Sequence, residues 1–204
     1  MKKILFVVLA GITGFSFADG VRPYVRVSAG VALLQDADLG GDTAIQPGVQ
    51  MKEMEFDTGY SVGFAGGVKF ANLPIRAELE FLYQRNDLDN INLTPGWVYT
   101  GDGKLTVMAL MLNGFYDFEN KTIVTPYLMG GVGVVRAKMK LNDVGSETDT
   151  VAAFQLGAGL DFKVTDHVSL DAGYRFMMTS DPDFGGVDAE ITGHRIELGI
   201  RYTF

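Results

Sequence analysis

Charged side chains recur at every second position inside otherwise apolar segments of this 204-residue chain. Arg76, Glu78 and Glu80 alternate with Ile75, Ala77, Leu79 and Phe81, and Asp171 and Arg175 sit among Leu170, Ala172, Tyr174 and Phe176. Arg195, Glu197 and Arg201 are spaced in the same way by Ile196, Leu198, Ile200 and Tyr202. The same reading adds Arg26, Lys69, Asp117 and Asp161. Arg136 joins on weaker ground, because the parity of its own segment is open. These thirteen positions hold seven cations and six anions. Near balance on one face suits mutual ion pairing in a confined space, where an unpaired charge costs several kcal/mol. The chemistry on offer is electrostatic.

Catalysis has little to work with. The chain has two histidines. His167 falls in a short turn. His194 lies next to the inward-reading Arg195, so its own parity points outward, with Asp188, Glu190 and Thr192 near it in sequence. A general base must reach the proton it takes, and a lone rim histidine reads as a surface residue. Gly130-Gly131-Val132-Gly133 lacks the spacing of a phosphate cradle, and Asp181-Pro182-Asp183-Phe184-Gly185-Gly186 lacks that of a calcium loop. No catalytic, cofactor-binding or metal-binding residue is expected. Zero cysteines rules out a disulfide framework and a thiolate metal site.

Elements that could position such charges have a period of two, the period of a β-strand with two different faces. Eight segments read this way: about Arg22–Leu34, Gly59–Phe70, Ile75–Arg85, Lys104–Phe118, Ile123–Lys138, Val151–Lys163, Val168–Met178 and the closing Ile196–Phe204. The connections alternate, short after the second, fourth and sixth segments and long after the first, third, fifth and seventh. The long ones cover about Gln35–Thr58, Asn86–Gly103, Met139–Thr150 and Thr179–Ala189. Short periplasmic turns and long extracellular loops are the arrangement of a transmembrane β-barrel, with its apolar face toward lipid. Phe70, Phe118, Phe162 and Phe204 recur at intervals of 48, 44 and 42 residues, one hairpin apiece, and would form a periplasmic aromatic girdle. The fold expected is all-β: an eight-stranded antiparallel up-and-down transmembrane barrel with an N-terminal signal peptide. Its interior is barely wide enough for side chains, which predicts a closed ladder of ion pairs.

Lys2 and Lys3 precede an apolar stretch from Ile4 to Phe15, followed by Ser16-Phe17-Ala18. That is a secretory signal cut between Ala18 and Asp19, so residues 1–18 form the leader and 19–204 the barrel domain. Without Lys2 and Lys3, 15 of the 17 basic groups face 25 acidic ones, a net charge of −10 with His neutral. Nucleic acid is excluded as a partner, because it demands basic patches. Sixteen of the acids fall in the long connections, where a solvated, self-repelling surface outweighs divalent-cation binding shared with lipopolysaccharide phosphates. Ile45, Val49, Met51, Met54, Ile91, Leu93, Trp97, Val98 and Tyr99 lie there too, apolar groups on loops that mark contact sites.

Met111-Leu112-Asn113-Gly114-Phe115-Tyr116-Asp117-Phe118, Thr125-Pro126-Tyr127-Leu128-Met129-Gly130-Gly131-Val132-Gly133, Gly157–Phe162 and Leu170–Phe176 together resemble the small outer-membrane β-barrel family. That family includes opacity-type adhesins and the OmpA membrane domain. The terminal strand, with Ile200, Tyr202 and Phe204, is similar to the sorting signal read by the outer-membrane assembly machinery. The resemblance covers essentially the whole mature chain. It implies a place in the bacterial outer membrane among lipid and lipopolysaccharide, and a role as surface antigen, adhesin, invasin or envelope-stabilising protein. Full-length OmpA carries a periplasmic domain after its barrel; none is expected after the last strand here, so peptidoglycan anchoring is not implied. The expected function is non-enzymatic, with extracellular loops touching a host or matrix surface or the neighbouring envelope. The alternative is a narrow porin-like solute or ion channel.

Overall fold

The computed structural model describes residues 20–34, 37–38, 44–46, 49–56, 58–94, 97–99, 103–141, 145–180 and 192–204. Side chains are described over 20–34, 58–87, 104–140, 148–180 and 192–204. Twelve strands run through these residues: β1 (Val21–Leu34), β2 (Ala37–Asp38), β3 (Ala44–Gln46), β4 (Val49–Phe56), β5 (Gly59–Phe70), β6 (Ile75–Thr94), β7 (Trp97–Tyr99), β8 (Gly103–Asp117), β9 (Val124–Leu141), β10 (Gly145–Lys163), β11 (Val168–Thr179) and β12 (Thr192–Thr203). Eight of them are staves of one ring, in the order β1, β5, β6, β8, β9, β10, β11, β12, each antiparallel to the next. The last stave returns to the first in register from Tyr24↔Thr203 to Leu34↔Gly193. No edge is left open around the ring, the condition for strands to cross hydrocarbon.

Burial is inverted relative to a water-soluble β-protein. Leu112 is 58% exposed, Ile196 62% and Leu198 69%, all on the outer face. Arg26, Arg76, Glu78, Glu80, Arg175 and Glu197 are buried. Alternation along each stave therefore sends apolar groups to lipid and charge to the lumen. Three tight turns, at 71–74, 118–123 and 164–167, mark the periplasmic end. Asn120 shapes the second: its amide donates to the Val124 carbonyl at 2.8 Å and its Oδ1 accepts from the Thr122 N–H at 2.8 Å. In the third, Lys163 Nζ lies 2.8 Å from Asp166, and that contact holds the Asp166 carboxyl below the usual carboxylate range. Phe70, Phe118, Phe162 and Phe204 all follow the outward parity at this end, and Tyr116–Phe118 and Tyr202–Phe204 pack edge to face at 5.1 and 5.2 Å.

Two readings of the sequence need correction. The connections taken as long loops are partly strand: β6 continues to Thr94 and pairs with β4, and β9 and β10 pair up to Leu141↔Gly145. Above the membrane both faces of a hairpin meet water, so the ladder continues where the alternation fades. The parity of the fifth stave, β9, is odd-inward, with Tyr127, Met129, Val135, Ala137 and Met139 buried. Arg136 is consequently on the outer face, exposed, and outside the lumen charge set. Ala18 and Asp19 lie outside the described residues, as do Asp36, Asp42, Asp57, Asp102, Asp143, Asp181, Asp183 and Asp188 and Glu190. For Asp38, Glu53, Glu55, Asp89, Glu147 and the apolar group from Ile45 to Tyr99, the backbone is described and the side chains are not.

Candidate functional site

The lumen gathers the buried charges of the described residues, and it is filled in three layers. Arg26, from β1, is the hub of the middle layer. Its Nη1 lies 2.8 Å from Glu197 and 3.1 Å from Asp171, its Nε 3.4 Å from Glu78 and its Nη2 3.5 Å from Glu80. Arg175 bridges Glu197 (2.7 Å) and Glu80 (3.1 Å) from β11. Arg195 donates to Gln155 Oε1 at 3.2 Å and stands 4.0 Å from Glu80. Glu80 Oε2 also accepts from Asn113 Nδ2 at 2.9 Å and Gln155 Nε2 at 3.1 Å, and Gln155 donates to Asn113 Oδ1 at 2.6 Å, while Oε1 faces Arg26 and Arg195 at 3.5 and 4.0 Å. Supporting amides of this kind are what a buried ion cluster requires, because bare pairing rarely repays desolvation.

Toward the periplasm the pairs become separate. Arg76 meets Asp117 side-on through Nε (3.0 Å) and Nη2 (2.8 Å), the fork geometry that only a guanidinium offers. Lys69 stands at the mouth, 3.6 Å from Asp117 and 2.9 Å from Glu119. Arg201 closes on Asp161 at 2.6 Å. Aromatic rings floor the layer. The Arg76 guanidinium lies 4.4 Å from the Phe115 centroid and 5.2 Å from that of Tyr127, and Arg201 is 5.4 Å from Tyr24. Tyr24 Oη in turn donates to Glu78 at 3.1 Å.

Among the described residues the extracellular third of the lumen has no ion pair; Gln84 there donates to Asn86, and Asn86 to the Ala32 carbonyl. Leu34, Leu82, Leu105, Val107, Ala109, Met111, Val135, Ala137, Met139, Ala153 and Met177 form a buried apolar cluster. This layer was missed in the sequence, because the inward half of β8 carries no polar mark there and Lys104 and Thr106 lie on the outward half. Tyr24, Phe115 and Tyr127 were also missed. For Tyr24 and Tyr127 the signal is an inward glycine opposite each: a Cβ on Gly67 would meet the Tyr24 ring, and one on Gly159 the Tyr127 ring. Gly131 tells the same story for β9, since a Cβ there would strike the Asn113 side chain. Inward glycine facing inward bulk would have settled the parity that Arg136 misassigned.

With Arg136 removed, the set of lumen charges has six cations (Arg26, Lys69, Arg76, Arg175, Arg195, Arg201) and six anions (Glu78, Glu80, Asp117, Asp161, Asp171, Glu197). Neither histidine is near them. His194 Nδ1 is 2.5 Å from Tyr174 Oη on the outer face, with its ring stacked on Tyr174 and tilted against Phe176. His167 stacks on Tyr202 at the periplasmic end and reaches the Thr203 carbonyl at 2.8 Å.

A family model described as the outer membrane protein beta-barrel domain matches residues 4–204. The chain belongs to that family. It is a bacterial outer-membrane protein. It is 26% identical over 174 residues to the outer membrane protein PagN of Salmonella typhimurium, covering 69% of this chain and 73% of PagN. A proposed adhesin of Rickettsia prowazekii, RP828, is 23% identical and covers 99% of both chains. An uncharacterized protein of Brucella suis is 24% identical over 65% of this chain, which spans 56% of that relative's length. Among solved structures, the Neisserial surface protein A (NspA) barrel superposes with a TM-score of 0.62 at 21% identity, over 91% of this chain and all of the other. That likeness is one of fold.

Proposed function

We propose that this protein is a non-enzymatic surface protein whose barrel is a closed mount and whose extracellular hairpins do the specific work, contacting a host or matrix surface. The observation that carries the reading is the filled lumen. A charge-paired lower two-thirds and an apolar upper third leave the interior occupied by the protein's own side chains. Specificity then falls to what stands above the ring, namely β2, β3, β4, β7 and the upper part of β6. The adhesin-named relative RP828 supports the same reading. We further propose that residues 1–18 are a cleaved leader and that β12, ending in Ile200, Tyr202 and Phe204, is read by the assembly machinery. An intact mass beginning at Asp19 checks the first.

The decisive test replaces 37–56 and 89–102 by short turns, which leaves the pairing of β6 with β8 intact through Leu88↔Gly103. Cells carrying the shortened protein are expected to keep it in the outer membrane and to lose binding to host cells or matrix. Undiminished adhesion would end the hairpin proposal. Purified protein in a planar bilayer is expected to show no steady conductance. A stable current altered by Arg76→Ala or Glu78→Ala would instead make it a narrow channel.

A further inference from the structure

The outward position of Arg136 exposes a second feature. On the outer face of β9, Arg136, Lys138 and Lys140 are all exposed, and Lys104 of β8 is exposed beside them. The register sets Lys104 directly opposite Lys140, Thr106 opposite Lys138 and Met108 opposite Arg136. Like charges directly across an antiparallel ladder repel. On the far side, β10 offers Thr148 to Lys138 and Thr150 to Arg136, hydroxyls and not carboxylates. The described acid that adjoins the patch on this face is Asp87, opposite Lys104 and 3.9 Å from Arg85. A protein of net charge −8 has here concentrated four cations on two neighbouring strands.

Their height identifies the partner. Immediately below them the same two strands present Leu110, Leu112, Val132 and Val134 to lipid. Arg136 is twelve residues above the periplasmic start of β9 at Val124. At about 3.3 Å per residue and a tilt of about 40°, that is roughly 30 Å above the strand's foot, just over an apolar band about 25 Å tall. Lys140 stands roughly 10 Å higher by the same rise. The four cations therefore look sideways, at the level where outer-leaflet headgroups carry their phosphates. Elsewhere the outer face is rimmed by aromatic groups, Tyr60 with Tyr83 and Tyr174 with Phe176 and His194, which suit a neutral interface.

We propose that Lys104, Arg136, Lys138 and Lys140 form a binding site for the phosphates of a phosphorylated glycolipid of the outer leaflet, the lipid A class. The ligand neutralises the Lys104–Lys140 repulsion while its acyl chains lie along the apolar strip below. A soluble sulfated polysaccharide would meet the same charges, yet it approaches from above and gains nothing from Leu110, Val132 and Val134.

The test uses the refolded full-length protein in phosphatidylcholine vesicles containing either bisphosphorylated lipid A or lipid A stripped of both phosphates. The phosphorylated lipid is expected to raise the thermal midpoint of the barrel, read by heat-modifiable gel mobility, and the stripped lipid to leave it unchanged. The variant combining Lys104→Gln, Arg136→Gln, Lys138→Gln and Lys140→Gln is expected to bind phosphorylated lipid A about a hundredfold or more weakly, since each basic group near a headgroup adds severalfold. Lys121→Gln, in a periplasmic turn, is expected to bind as the parent does. Equal shifts from the two lipids overturn the proposal, and so does a quadruple variant that binds like the parent. Heparin binding to the four residues with lipid A inert overturns it in favour of a soluble polyanion. Should the quadruple variant fail to refold, the two-lipid comparison on the parent protein decides alone.

Discussion

The lower and upper parts of one lumen solve the same filling problem with opposite chemistry. Below, Arg26, Arg175, Glu80 and Glu197 share protons and carboxylate oxygens across four strands. Above, Leu82, Leu105, Val107 and Met111 pack as the core of a soluble protein would. The lower solution is directional: each ion pair specifies which strands face each other and at what height. The upper solution is tolerant, since apolar side chains of similar volume exchange at modest cost. A barrel whose outer wall meets featureless lipid gains no register information from outside. The charged layers supply it from within.

Several substitutions would break or sharpen that contrast. The largest effect is expected from Arg26→Met, which removes the one ion-pair partner that Glu78 and Asp171 have among the described residues and leaves Glu80 and Glu197 to Arg175 and Arg195. Leaving buried carboxylates unpaired should cost about 3–5 kcal/mol in urea unfolding of the refolded barrel. Leu82→Ala, in the apolar layer, should cost about 2–4 kcal/mol and leave the charged layers in register. If Leu82→Ala proves the costlier of the two, the ranking of the layers is wrong. Tyr24→Phe removes one donor to Glu78 and should cost about 1–2 kcal/mol by the same measurement. Tyr174→Phe lies on the outer rim beside His194, outside both layers, and should cost about 0.5 kcal/mol or less. A double-mutant cycle on Arg26 and Glu197 should return a coupling above about 1 kcal/mol, whereas Leu82 with the distant Tyr174 should be additive within about 0.5 kcal/mol.

Most of the staves were legible because hydrocarbon on one side and confinement on the other force residues apart by type. β5, β11 and β12 alternate without interruption, and their bounds lie within a few residues of those read from the sequence. The pattern fades where one of the two environments changes. Above the membrane both faces meet water, so β6 beyond Arg85 reads as loop although it pairs on to Thr94. In the upper lumen the inward face of β8 is apolar and its outward face carries Lys104 and Thr106, so Leu105, Val107 and Met111 carry no sign of pointing inward. The rule that charge points inward holds only within the hydrocarbon band. Arg136 stands beyond it, where an outward guanidinium meets headgroups instead of acyl chains.

The seam between β1 and β12 joins residues such as Tyr24 and Thr203 from opposite ends of the chain. Contacts so remote in sequence are slow to form. Until that seam closes, Arg26 lacks Glu197, the hub lacks a spoke, and the first and last staves both present bare edges to the bilayer. Partly assembled forms therefore lack both the closed ring and the completed hub. The order of events is written in the circle: the first stave finds β5 nearby in the chain and waits for β12 until the end.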